Sequence, residues 1–302
     1  MLLKSYAKIN LSLDVLGIMD NGYHQVATVM QKTSLFDIIA IDWLSSADDE
    51  SLFDIQISTN KPYIPNDERN LAYKAALLMK SEAEKKQLDV RGTLKINIEK
   101  HIPVAAGLAG GSGNGAAVLI GLNRIWKMGM DTRALCEVGK SLGADVPFMV
   151  LIQNSRYRCA LGTGVGDVLQ PMPSAFCKHI VLAKPPFGVS TKEVYREIDN
   201  VEIDRHPDTD ALIEGLKSGD YGLIEDNMIN VLECYSLERY KEINTIKELM
   251  ASTEMVEKVL MSGSGPTVFG VYPTRRAAIN GCMVLREKGY EAYWTDTFLR
   301  EK

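Results

Sequence analysis

Small residues fill nearly every position of Pro103-Val104-Ala105-Ala106-Gly107-Leu108-Ala109-Gly110-Gly111-Ser112-Gly113-Asn114-Gly115-Ala116-Ala117. Side chains this small let backbone N–H groups close on an anion, and a helix opening behind them adds its positive end. Such a segment suits the phosphates of ATP, and with them a small-molecule kinase. It is not a Walker A loop, because no Gly-Lys-Ser/Thr closes it, and its central Gly107 to Gly113 run does not spell Gly-x-Gly-x-x-Gly. Composition alone also allows a flexible loop or a close-packed helix entry. By residue type, Lys8 and Asp145 read first as solvated surface groups. Tyr23-His24 joins an aromatic face to a directional hydrogen-bonding group, which is what nucleobase recognition needs, although a tyrosine after a turn glycine also suits an ordinary half-buried strand.

The elements that must position these residues follow from periodicity. Ala7, Ile9, Leu11, Leu13 and Val15 alternate with polar residues, and Asp20-Asn21-Gly22 is a turn signal, so the chain opens on a hairpin-rich sheet. A loop from Lys61 to Arg69 leads to a helix starting near Asn70, where Leu71, Ala75, Leu78 and Met79 share a face and Asn70 suits the N-cap. A strand over 92–98 precedes the glycine segment, and a helix is predicted from Ala116 to about Met128. Another helix opens at Asp131 or Thr132 and stops at Gly143, leaving Asp145 on the loop beyond. Strands near 180–183, 257–261, 267–272 and 291–294 and helices near 191–199, 208–217, 239–252 and 275–288 make a β/α half. The domain boundary is placed between Pro171 and Cys177, which gives domains 1–173 and 174–302.

The chain has 302 residues, 46% hydrophobic and 24% charged, with a net charge of −5. That is the composition of an ordinary folded protein, and an acidic balance argues against nucleic acid as a partner. The five cysteines are scattered without a Cys-x-x-Cys pair, so a zinc site or disulfide framework is not expected. Without a signal-like start or a membrane-length apolar run, a cytoplasmic protein with no membrane partner is expected. No heptads appear, leaving a monomer or weak homodimer as the default.

The glycine segment resembles the phosphate loop of the GHMP kinases, roughly Pro-x-x-x-Gly-Leu-Gly-Gly-Ser-Ser before a small helical run. Ala7-Lys8-Ile9-Asn10-Leu11, Asp20-Asn21-Gly22-Tyr23-His24, Gly143-Ala144-Asp145-Val146-Pro147-Phe148 and Ser262-Gly263-Ser264-Gly265-Pro266-Thr267-Val268-Phe269 are similar, in order, to the branch of these kinases whose acceptor is 4-diphosphocytidyl-2-C-methyl-D-erythritol. The resemblance implies an α+β, two-domain fold. Its N-terminal half would be like ribosomal protein S5 domain 2, its C-terminal half ferredoxin-like, with the active site in the cleft between them. It implies phosphorylation of that acceptor's 2-hydroxyl by ATP and Mg²⁺ in non-mevalonate isoprenoid biosynthesis. Asp145 would be the catalytic base and Lys8 the cation orienting it. Pro103 to Asn114, Asn70, Leu71 and Lys100 would bind ATP, while Asn10, Tyr23, His24, Thr191 and Tyr195 would bind the acceptor.

The metal ligands stay open, with Ser112 a candidate. The rivals are a homoserine or mevalonate-pathway kinase and a non-catalytic sensor of the same fold. Ala109 stands where the family usually has glycine and would be strained at positive φ. Gly113 replaces a serine, and Gly115 weakens the first helical turn by up to about 1 kcal/mol. Asn154-Ser155-Arg156-Tyr157-Arg158-Cys159-Ala160 replaces a run that is usually small.

Overall fold

A computed structural model describes residues 1–46 and 53–298; the last residues of the 174–302 domain lie outside them. The opening hairpin is two long strands, β1 (Leu2–Ile18) and β2 (His24–Ser45), and its turn closes with Gly22 N donating to Met19 O at 2.8 Å. Next come β3 (Phe53–Thr59), α1 (Leu71–Lys85) and β4 (Gly92–Glu99). Three helices follow: α2 (Gly110–Ile125), α3 (Thr132–Lys140) and α4 (Val146–Asn154). After β5 (Cys159–Thr163), β6 (Val168–Met172) and β7 (His179–Lys184) the chain forms α5 (Thr191–Ile198), α6 (Thr209–Ser218), α7 (Tyr221–Asn227), α8 (Glu233–Arg239) and α9 (Lys241–Ala251). It ends on β8 (Lys258–Met261), β9 (Val268–Tyr272), α10 (Arg275–Glu287) and β10 (Glu291–Asp296).

The chain divides into two compact units, the first of Met1–Ala7, Phe36–Pro103 and Ala109–Arg156, the second of Lys8–Leu35, Val104–Leu108 and Tyr157–Lys302. Compactness thus groups residues 8–35, 104–108 and 157–173, assigned above to an N-terminal domain, with the C-terminal residues. The physical reason is strand length: β1 changes unit after Ala7 and β2 after Leu35 without a break in either strand.

In the first unit β3 runs parallel to β4, and β4 runs antiparallel to residues 38–45 of β2, with Ile39 opposite Ile98 and Ile41 opposite Ile96. Those isoleucines are buried, as period-two alternation requires. Asp131 caps α3 through Ala134 N, as anticipated. α4 escapes the sequence reading because Val146 to Ile152 is buried on every side and shows no amphipathic period. In the second unit residues 28–31 of β2 pair with β5, and β5 with β6. The other sheet is antiparallel in the order β10-β7-β9-β8, and α9 and α10 pack on it around Val181, Ile246, Met250, Val268 and Leu285. The mixed α+β class is therefore the one anticipated. Among the described residues no helix is long and apolar enough to cross a membrane.

Candidate active site

β1 carries Ala7, Ile9, Leu11 and Leu13 on one face and Lys8, Asn10, Ser12 and Asp14 on the other, and both faces are buried. A buried polar face depends on internal hydrogen bonds, and here all but the Ser12 hydroxyl find one. Lys8 Nζ donates to Asn10 Oδ1 at 2.8 Å, Asn10 Nδ2 to Thr28 Oγ1 at 2.8 Å, and the Thr28 hydroxyl to Ser12 O at 2.7 Å. Ser262 Oγ lies 3.4 Å from Asn10 Oδ1, which brings the Ser262–Gly265 turn to the same place. A Cβ on Gly263 (φ +59°) would stand 3.8 Å from Lys8 Nζ. Asn230 pins this turn, its Nδ2 donating at 2.8 Å to both Met261 O and Gly263 O.

The same turn explains one glycine of the Pro103–Ala117 segment. Gly107 has φ +71°, and a Cβ there would meet Gly265 O at 2.7 Å and Ser262 O at 2.8 Å, so only glycine fits. Leu108 O accepts from Lys8 N at 3.2 Å, which ties Val104–Leu108 to the lysine's own backbone. Nearby in the unit, Thr191 Oγ1 and Ser264 Oγ share a hydrogen bond of 2.9 Å. Tyr195, one helical turn later on α5, meets the His24 ring with centroids 5.4 Å apart. His24 Nε2 is 2.9 Å from Asp199 Oδ1. Tyr23 is 65% exposed, an uncovered ring beside the His24–Tyr195 pair in sequence.

In the first unit, α2 begins at Gly110, ahead of the predicted Ala116 start. Glycines read as loop by propensity, but here packing requires them in a helix. A Cβ on Gly110 would meet Lys100 Nζ at 3.0 Å, and one on Gly113 would meet Ser5 Oγ at 2.6 Å. The missing Gly113 side chain is thus matched by the Ser5 hydroxyl. Ala109 caps the helix at φ 56°, ψ 26°, so the strain anticipated there is present, and Ala105 shares it at φ 52°. Each left-handed alanine costs roughly 1–2 kcal/mol.

Lys100 is buried beside this helix start. Its ammonium pairs with Asp37 Oδ2 and donates to Asn114 Oδ1 at 3.1 Å. Asp37 Oδ1 accepts from the backbone N of His101 and Ile102, both at 2.8 Å, while Asn114 Nδ2 donates to Asp37 Oδ2 at 2.8 Å and Ser5 Oγ at 3.1 Å. Burial lowers the Lys100 pKa, and the Asp37 charge opposes that shift. Asn70 caps α1: Oδ1 accepts from Ala72 N at 3.0 Å and Nδ2 donates to Pro65 O at 2.8 Å. An open groove of about 450 Å³ adjoins the cap, lined by Ile57, Thr59, Tyr63, Pro65, Asn66 and Arg69. Asp145, expected on a loop, is instead the N-cap residue of α4, half-buried, and its side chain does not cap the helix.

Asp37, Thr28, Asn230 and Asp199 belong to these clusters without having been singled out from the sequence. Asp37 had a signal: it shares a strand face with Ile39 and Ile41, where a carboxylate has no ordinary reason to be. Thr28, Asn230 and Asp199 carry no spacing signal. Among the described residues no three His, Cys, Asp or Glu side chains gather to cage a metal. A magnesium ion carried on nucleotide phosphates needs only one or two protein oxygens, and the half-buried Ser112 Oγ in the first turn of α2 suits that need.

Comparison with known proteins shows the family. The family model for the GHMP kinases N terminal domain matches residues 70–152, and that for the GHMP kinases C terminal matches residues 212–291. The 4-diphosphocytidyl-2-C-methyl-D-erythritol kinase of Lachnospira eligens is 42% identical over 299 residues, covering 98% of each chain. A crystal structure of 4-(cytidine 5'-diphospho)-2C-methyl-D-erythritol kinase superposes with a TM-score of 0.78 at 30% identity, covering 98% of each chain. Homoserine kinase from Cytophaga hutchinsonii superposes with a TM-score of 0.67 at 16% identity, covering 97% of this chain and 94% of that one, a likeness of fold alone.

Proposed function

The chain belongs to the GHMP kinases, in their 4-diphosphocytidyl-2-C-methyl-D-erythritol kinase family, and from that premise we propose that it transfers the γ-phosphate of ATP to the 2-hydroxyl of 4-diphosphocytidyl-2-C-methyl-D-erythritol, a step of non-mevalonate isoprenoid precursor biosynthesis. The relation running end to end with kinases of that name carries the reading. The homoserine and mevalonate alternatives rest on fold alone, and a pure sensor would need neither Lys8 nor Asp145.

Phosphoryl transfer passes through a loose transition state, so positioning and charge neutralisation matter more than strong deprotonation. Asp145 accepts the proton of the acceptor hydroxyl. The Lys8 ammonium, oriented by Asn10, stabilises negative charge at the reacting oxygens. The segment Pro103 to Asn114 holds the phosphates with backbone N–H groups between Val104 and Ser112, helped by the positive end of α2. Asn70 and Leu71 would bind the adenosine end, next in sequence to the groove whose lining residue Pro65 the Asn70 amide holds. Lys100 acts there through Asp37 and Asn114, holding the helix start. Mg²⁺, when bound, would neutralise charge on the β- and γ-phosphates, with Ser112 Oγ as this chain's candidate ligand. Tyr23, His24, Thr191 and Tyr195 would recognise the cytidine end, Tyr23 and Tyr195 by their rings and His24 by hydrogen bonding. The reading extends to domains 1–173 and 174–302 and to a cytoplasmic monomer or weak homodimer without nucleic-acid partners.

Incubating the full chain with ATP, Mg²⁺ and, separately, the cytidine acceptor, homoserine and mevalonate tests this by mass spectrometry. A 2-phosphate formed only on the cytidine acceptor is expected. Phosphorylation of homoserine or mevalonate with the cytidine acceptor inert would overturn the substrate. Transfer to none would favour the sensor.

A further inference from the structure

We propose that Thr28 is a positioning residue of the phosphoryl transfer: its hydroxyl decides which way the Asn10 amide faces, and the amide in turn holds the Lys8 ammonium. The proposal rests on the reading that Lys8 acts in the transfer. It follows from the direction that each hydrogen bond must take. The Ser12 carbonyl can only accept, so the single hydroxyl proton of Thr28 goes to it across 2.7 Å. With that proton committed, Thr28 Oγ1 can only accept from Asn10, and the atom 2.8 Å away must be the amide nitrogen.

Asn10 Oδ1 is thereby turned toward Lys8 Nζ at 2.8 Å, a group that can only donate. Rotating the amide by half a turn would set its NH₂ against the ammonium and its oxygen against the Thr28 oxygen. Both bonds would be lost together. Water has little room to compensate, because Asn10 is 2% exposed and Thr28 4%. Ser262 Oγ, 3.4 Å from Asn10 Oδ1, adds a second group able to donate to the same oxygen and so favours the same orientation. Thr28 itself is held in register on β2, opposite Gly162 of β5, so its hydroxyl has a fixed origin. One buried hydroxyl, remote in sequence from the lysine, thereby fixes the amide oxygen that receives one of the ammonium's hydrogen bonds.

The test compares Thr28→Val, which keeps the shape and removes the hydroxyl, with Thr28→Ser, which keeps the hydroxyl, and with Lys8→Met. Each full-length variant is assayed for kcat, for KM of ATP and of the cytidine acceptor, and for Tm. The expected result is a fall of about tenfold or more in kcat for Thr28→Val, with KM for ATP changed by less than about twofold and substantial recovery in Thr28→Ser. A purely structural role would lower Tm while leaving kcat of the folded enzyme unchanged, and that result overturns the proposal. So does a Thr28→Ser variant as impaired as Thr28→Val. If Lys8→Met is inactive while Thr28→Val matches wild type, this inference alone falls. If Lys8→Met keeps wild-type kcat, the reading of Lys8 falls and this inference with it. Should Thr28→Val fail to fold, Thr28→Ala removes the same hydroxyl with less bulk and is judged by the same criteria.

Discussion

Lys100 and Lys8 are both buried, one beside the start of α2 and the other on β1, and they keep different company. Lys100 meets a carboxylate: Asp37 is 0% exposed, and its other oxygen is already bound to two backbone amides. Lys8 lies on the polar face of β1, where Asn10 Oδ1 is one of its partners and Gly263 of the Ser262–Gly265 turn comes close to its ammonium. Lys100 sits in a cluster with Asp37, Asn114 and Ser5 that ties the start of α2 to β1 and β2. The contrast is between a lysine packed into the polar interior behind a helix start and one set against a glycine turn, although the sequence motifs had placed Lys8 and Lys100 alike in the site.

The largest effect that could break this contrast is on Lys100. Removing one partner from a buried pair strands the other, so Lys100→Met or Asp37→Asn is expected to cost about 3–5 kcal/mol by urea unfolding. If Lys100→Met kept its stability and lost only ATP affinity, Lys100 would be a nucleotide ligand and the two lysines would be alike.

A smaller effect is expected where Ser5 stands in for the side chain missing at position 113. Gly113→Ser should destabilise by roughly 1–3 kcal/mol, because its Cβ would lie 2.6 Å from Ser5 Oγ. Adding Ser5→Ala should recover part of that loss, which thermal unfolding of the double variant checks. Smaller again, Gly115→Ala should stabilise by up to about 1 kcal/mol, since the nearest atom to its new Cβ is Leu71 O at 3.4 Å. Its Tm should rise with phosphate transfer retained.

Those positions also show what was legible in the sequence. The alternation of Ala7 to Val15, the Asn70 and Asp131 caps and the glycine segment were readable, because their physics is local. The early start of α2 was not, because Gly110 and Gly113 are helical on account of Lys100 and Ser5, partners distant in the chain. α4 was hidden by uniform burial, and Asp145 was therefore taken for a loop residue rather than the head of a helix. Lys8, Asn10, Tyr23 and His24 were singled out through motif order. Thr28 and Asn230 could not be, since a threonine on a strand and an asparagine before a helix acquire their roles only from what the fold sets against them. Chain compactness likewise does not follow a single boundary near residue 173, because β1 and β2 continue through the change of unit.

The most direct test of the account is the single-turnover rate of phosphate transfer in Lys8→Met, measured by rapid quench with ATP, Mg²⁺ and the cytidine acceptor all saturating. The account predicts a fall on the order of a hundredfold or more in a variant that remains folded. A wild-type rate would contradict it.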